Sequence, residues 1–191
     1  MSQKRQPDPR VNHSRKVILR AALDEFATAG YAGFRMESVA ARAGVGRSTL
    51  YRHWPDKTAL LADALETLNV QPNPERELVS GTARQRVELL LRHLARALTD
   101  SPVAACIPAL IHASEHDPAV RDFFHRYSAQ RRRRLTDTIA AGVEDGEFPA
   151  RVDAEAASVA LSGAVFYRRL MTSDGVDDAF IADSIDTVLA T

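Results

Sequence analysis

Residues 44 to 57 read GVGRSTLYRHWPDK, a short segment that crowds together side chains able to donate hydrogen bonds and to stack. Arg47, Ser48, Thr49, Tyr51, Arg52, His53 and Lys57 supply donors, and Tyr51, His53 and Trp54 supply flat rings. No nucleophile–base pairing stands out along the chain. Its glycines form no phosphate-cradling loop followed by lysine, and its carboxylates are dispersed, so an enzyme is not expected. What remains is recognition chemistry, in which donors meet the acceptor oxygens of phosphates and the edges of bases.

Helices must position these residues. Apolar positions Ile18, Ala21, Ala22 and Phe26 follow the 3.6-residue period, which predicts a helix capped by Ser14 and ended by Gly30. A short helix is predicted from Met36 to Ala43, with Val39 and Ala40 inward and Gly44 at its end. A third is predicted over Arg47 to Trp54, stopped by Pro55 and Asp56, and a fourth over Lys57 to Leu68. Two short helices joined by a glycine turn have the arithmetic of a helix-turn-helix. Arg47, Ser48 and Thr49 then occupy the first turn of a helix suited to a major groove about 12 Å wide. Leu50 and Trp54 share the inward face. Lys57 can grip a phosphate beside the start of the next helix.

Farther on, VQPNPERE (70–77) reads as a linker, and helices are predicted at 82–99, 103–116, 118–144, 153–173 and 177–190. Strand-type alternation is nowhere sustained. The expected fold is all-α, with about nine helices: an N-terminal three-helix helix-turn-helix domain (14–69) and a larger C-terminal helical domain (70–191). Residues 1–13 read as a disordered basic arm, from which Arg5 or Arg10 can reach a minor groove or simply remain in solvent.

Charge follows this division. The whole chain is formally neutral, but residues 1–70 hold 11 Lys/Arg against 7 Asp/Glu, a balance of +4, and residues 71–191 hold 14 against 18, a balance of −4. A basic front on an acidic body suggests a polyanion partner for the front alone. Cys106 is the single cysteine, which excludes an internal disulfide and fits a reducing cytoplasm. Apolar runs fall short of a membrane span, and the N-terminus lacks the apolar region of a secretory signal.

The stretch FRMESVAARAGVGRSTLYRHWPDKTALLADAL resembles the DNA-binding segment of the TetR family of bacterial transcription regulators. Residues 14 to 68 carry the resemblance most strongly, and AAGVEDGEFPARVDAEAA and FYRRLMTSDGVDDAFIADSIDTVL extend it more loosely. It implies base or backbone contacts from Arg47, Ser48, Thr49, Tyr51 and His53, with Arg52 within reach of the same edges and a phosphate contact from Lys57. Two positions depart from the family pattern. Arg35 stands where relatives place a capping serine or threonine, and can reach a phosphate instead. Gly46 stands where a serine often caps the recognition helix. Glu37 falls on the side that faces DNA in relatives, where it either accepts from cytosine N4 or stays solvated.

The resemblance further implies a homodimer on a palindromic double-stranded operator and release by a small-molecule effector, repression being the family habit. The alternatives are a helical interaction module, or an activator without an effector. Ala157, Ala160, Leu161, Ala164, Phe180, Ile181, Ile185 and Val188 are the expected dimer surface, the alternative being that these helices complete the chain's own core. Leu90, Leu94, Cys106, Leu110, Ile111, Phe123, Phe124, Tyr127 and Arg131 either line an effector pocket or form plain core, and Pro108 is expected to kink its helix. Within RRRR (131–134), Arg131 and Arg134 fall on the apolar side of their helix, where each requires a carboxylate or an anionic effector. His112 and His116 have the i, i+4 spacing of metal ligands without an assured third. No cofactor and no metal are expected.

Overall fold

The computed structural model describes residues 9–67, 74–78, 80–100 and 102–190, and every regular element among them is a helix. In chain order these are α1 (Pro9–Gly33), α2 (Met36–Ala43), α3 (Arg47–His53), α4 (Lys57–Glu66), α5 (Pro74–Glu77), α6 (Ala83–Thr99), α7 (Pro102–His116), α8 (Pro118–Glu144), α9 (Ala154–Met171) and α10 (Asp178–Leu189). The one-turn α5 lies where a linker is expected, because Pro74 removes only an N–H that the first turn leaves unbonded anyway. Residues 70–73 of that linker, and Leu68, lie outside the described residues.

The chain forms two compact units: residues 1–69 with 105–124, and residues 70–104 with 125–191. The expected single body from residue 70 onward thus gives up residues 105–124 to the first unit. Cys106 and Leu110 are wholly buried there, with the Cys106 sulfur 3.9 Å from the carbonyl oxygen of Leu23.

In the first unit α1 begins at Pro9, not at Ser14, since proline's fixed φ suits a first helical turn. Ser14 therefore sits inside the helix, and residues 9–13 of the expected arm are helical; Arg5 and the rest of residues 1–8 lie outside the described residues. Gly30, at φ +64°, breaks the helix before a last turn to Gly33. Ile18, Leu19, Ala22, Leu23 and Phe26 bury one face of α1, which packs on α2 and α4. From α4, Leu60, Leu61, Ala64 and Leu65 answer them, and Asp56 caps that helix by accepting the Ala59 N–H at 2.8 Å. Met36, Val39 and Ala40 are the buried side of α2.

In the second unit α6 opens with a capping box: the Gln85 N–H donates to Thr82 Oγ1 at 3.2 Å, and the Thr82 N–H donates to Gln85 Oε1 at 3.0 Å. Its buried face of Val87, Leu90, Leu91, Ala95 and Leu98 packs with α9 and α10. On those two helices Ala157, Leu161, Ile181 and Ile185, expected at a dimer surface, lie in this interior instead. Their helices are apolar on two sides, and only one of those sides packs into the chain's own core. From α8, Arg132 Nη2 donates to Glu155 Oε1 of α9 at 2.5 Å, and Thr136 Oγ1 donates to Glu155 Oε2 at 3.1 Å; these bonds hold the Glu155 carboxyl below its ordinary pKa.

Gly142 fixes how closely α8 is packed. A Cβ at this position would stand 2.5 Å from the Phe148 ring and 2.7 Å from the Ala83 Cβ. Gly142→Ala gains up to about 1 kcal/mol of helix propensity, but overpacking of a full core costs about 1–3 kcal/mol. The expected outcome is net destabilisation, read as a lower urea midpoint with an unchanged slope.

Candidate nucleic-acid interface

Seven residues of helix are too few to be stable alone, so α3 exists because its neighbours hold it. Its entry is set by Gly44, at φ +66°, which lets the Val45 N–H reach the Ala40 carbonyl at 3.0 Å and turns the chain sharply. Gly46 caps α3 with no side-chain bond, and Arg35 likewise gives α2 none. Leu50 is wholly buried. Trp54, just past the last turn, is 3% exposed, and its indole N–H donates to Asp63 Oδ2 of α4 at 2.7 Å. Arg15 of α1 donates to the same carboxylate and lies 5.9 Å from the Trp54 ring centroid. One carboxylate thus ties α1, α4 and the end of α3 together.

With its inner face fixed, α3 presents Arg47, Ser48, Tyr51, Arg52 and His53 as an exposed row, with Thr49 half-buried beside it. Tyr51 is 46% exposed, a large ring left open that the protein's own packing does not use. No acidic side chain interrupts α3 itself.

Lys57 opens α4 next to this row. It is half-buried, its Nζ donating to the Tyr31 carbonyl at 3.1 Å and lying 4.0 Å from the centre of the Tyr31 ring. The Tyr31 hydroxyl in turn pairs with Thr58 Oγ1 at 2.8 Å, and burial raises its pKa. An ammonium has three donors; one is spent on the Tyr31 carbonyl, which orients the group. Tyr31 and Asp63 escaped the sequence reading, because neither follows the apolar period nor stands in the crowded segment. Arg35 and Glu37 are exposed, and the Tyr51 hydroxyl donates to Glu37 Oε1 at 3.4 Å.

Comparison with known proteins decides the family. Residues 18–64 match the model of bacterial regulatory proteins of the tetR family, and residues 80–188 match that of the tetracyclin repressor-like C-terminal domain. The chain belongs to the TetR family. It is 33% identical over 178 residues to the DNA-binding transcriptional repressor TetR of Mycobacteroides abscessus, covering 90% of each chain. A TetR-family regulator from Rhodococcus sp. shares its fold with a TM-score of 0.74 at 26% identity, over 92% of this chain and 98% of that one. The regulator FadR of Bacillus subtilis, solved in complex with stearoyl-CoA, superposes with a TM-score of 0.72 at 17% identity, over 92% of this chain and 97% of that one. Like its TetR-family relatives, the chain is a DNA-binding transcription regulator.

The remaining candidate residues divide between the units. In the first, Cys106 and Leu110 are fully buried, Phe123 and Phe124 half-buried, and Ile111 stands at the surface. Burial pushes the Cys106 thiol up to about 11, so it stays neutral and behaves as core. Pro108 is exposed and α7 runs through it. In the second, Leu90 and Tyr127 are buried and Leu94 is half-buried. Arg131 donates to the Tyr127 hydroxyl at 3.2 Å. Nearby, His93 has a buried Nε2 with no hydrogen-bond partner among the described residues; burial, reinforced by Arg131 and Arg96, lowers its pKa. His116 donates from Nδ1 to the His112 carbonyl at 3.0 Å, and no cluster of three metal-ligating side chains occurs among the described residues.

Two variants test this interface by gel shift on operator DNA. Lys57→Ala is expected to reduce the slope of log affinity against log salt by about 1 per head. Tyr51→Ala is expected to cost about 1–3 kcal/mol per head, similar to a mismatched base pair. Both are expected to retain the parent's far-ultraviolet circular dichroism. Unchanged binding by both variants removes α3 as the reading helix.

Proposed function

We propose that the protein is a ligand-released repressor that binds a palindromic operator as a homodimer in the bacterial cytoplasm. The exposed row on α3, anchored from behind by Leu50 and Trp54, is the observation that carries this reading. One such helix spans only a few base pairs. With each mismatch costing about 1–3 kcal/mol, a single head discriminates too weakly to find a site in a genome. Two heads related by a two-fold axis double the contact and require an operator with the same symmetry.

The second copy has a surface to meet. On α9, Ala156, Ala160, Gly163, Tyr167 and Leu170 are exposed and recur at alternate steps of four and three residues, the spacing of a helix seam. Val159 and Met171 widen it, at 49% and 73% exposure. Of the residues expected in a dimer, Ala160 belongs to this outer face; Ala164, Phe180 and Val188 are half-buried at its border. Above Ala156 and Ala160, a groove of about 320 Å³ runs to Val188 of α10. Small side chains along the seam allow close approach of a partner helix.

We assign an effector to the body, because the heads are taken up by DNA; FadR, which shares the fold, was solved in complex with stearoyl-CoA. Leu90, Leu94, Tyr127 and Arg131 are the side chains we assign to it in the second unit: an apolar wall with one cation. The decisive test is a gel shift on the DNA upstream of the protein's own gene, repeated with candidate small molecules. Repression predicts a retarded band that one class of molecule abolishes; no retarded band on any promoter fragment overturns the reading.

The dimer is tested separately. A Cβ at Gly163 would meet nothing within 4 Å, so Gly163→Arg leaves the single chain undisturbed while blocking close approach of a second α9. Sedimentation at micromolar concentration is expected to give a dimer for the parent and a monomer for the variant. Operator affinity is expected to fall with the loss of the second head.

A further inference from the structure

The basic residues of α6 lie on two faces that are matched differently. On one, Arg84 and Arg92 pair with Glu88 of the same helix and with Asp186 and Asp178 of α10. On another, Arg86, Leu90 and His93 recur at steps of four and three residues and form one row. Leu90 is buried, and the Arg86 Nε and His93 Nε2 atoms beside it are buried with no hydrogen-bond partner among the described residues. A buried polar atom is seldom left unpaired, so two of them in one helical row mark a place where an acceptor belongs. The surrounding charge says which kind. Arg131 of α8, held to the Tyr127 hydroxyl at 3.2 Å, and Arg96 both act on His93, and Glu77 of α5 opposes them.

We propose that the effector is an organic acid, its carboxylate received at His93 and its apolar part lying along Leu90, Leu94 and Tyr127. This rests on the reading of the second unit as the effector-binding body. An ionised carboxylate only accepts hydrogen bonds, and the N–H groups of imidazolium and guanidinium only donate them. Away from water, such a charge-assisted bond is stronger than one to a neutral acceptor. Arg86, about 10 Å farther along the row, adds a second positive charge that favours an anion over a neutral molecule. Burial, then the charges of Arg131 and Arg96, keep the imidazole below its usual pKa, so His93 is neutral near pH 7 in the free protein. A carboxylate at hydrogen-bond distance favours the imidazolium. Binding therefore takes up a proton at His93, and affinity rises as pH falls.

An ordered water at each nitrogen is the competing account. Water satisfies these donors without regard to the charge of any ligand, so matched pairs of molecules separate the two. Octanoate, decanoate, benzoate and phenylacetate are titrated by calorimetry into the full-length parent, His93→Phe and Arg86→Met, each beside the primary amide of the same skeleton. At least one acid is expected to bind the parent about 10- to 150-fold more tightly than its amide, the range of a hydrogen bond to a charged group. That acid is expected to bind more tightly still between about pH 8 and about pH 6, and to release the operator in the gel shift. His93→Phe is expected to bind acid and amide alike at every pH. Arg86→Met is expected to weaken the acid but to keep the pH dependence, since His93 is intact. The proposal falls if acids and amides bind the parent alike, if none binds, or if His93→Phe keeps the preference for the acid. An operator complex that only neutral or cationic molecules release overturns the acid and leaves ligand-released repression standing. A complex that no small molecule releases removes both.

Discussion

The candidate DNA interface depends on a helix that cannot stand by itself. α3 has seven residues, below the length at which helix propagation repays nucleation. Leu50 and Trp54 hold it in place, and the indole of Trp54 is oriented by a 2.7 Å hydrogen bond to Asp63. Asp63 is oriented in turn by Arg15. Removing water from around Leu50 and the Trp54 ring supplies the stabilisation; the indole–carboxylate bond supplies direction. Arg47, Ser48, Tyr51 and Arg52 contribute nothing to that anchor, which leaves them free to be chosen for what they recognise.

Lys57 shows the same division between holding and reading. A lysine on a free surface loses side-chain entropy when it grips a phosphate. At Lys57 the Tyr31 ring and carbonyl already restrict the side chain, so a phosphate contact there would cost less freedom. Glu37 and Tyr51 form a weaker pair across α2 and α3, at a length where neither partner is fully committed to the other.

In the second unit, α9 separates a buried face from an open apolar face within one helix. Ala157, Leu161 and Val165 close the interior against α6 and α10, while Ala160, Gly163 and Tyr167 remain open. Capping is mostly local: Thr82, Asp153 and Asp177 each satisfy an N–H at the start of α6, α9 and α10, while the Ala83 N–H of α6 donates to the distant Glu147 at 2.7 Å. The helices are therefore bounded by their own sequence, and their mutual arrangement is left to the buried faces.

The sequence by itself determined most of the helices and marked out the candidate row of donors on α3. Helix ends at Gly44, Asp56 and Thr82, and the inward faces of α2 and α4, follow from local rules of capping and a 3.6-residue period, which need no distant partner. The crowd of donors on α3 was legible because those residues are unsuited to a core. Tertiary structure decided what depends on contacts between distant residues. It brought Asp63 under Trp54 and Tyr31 under Lys57, and moved residues 105–124 into the first unit. It also turned Leu161, Ile181 and Ile185 inward, where the sequence showed only that α9 and α10 were apolar on more than one side. Periodicity reveals that a face must be buried; which neighbour buries it is fixed only when the whole chain competes for the same apolar surface.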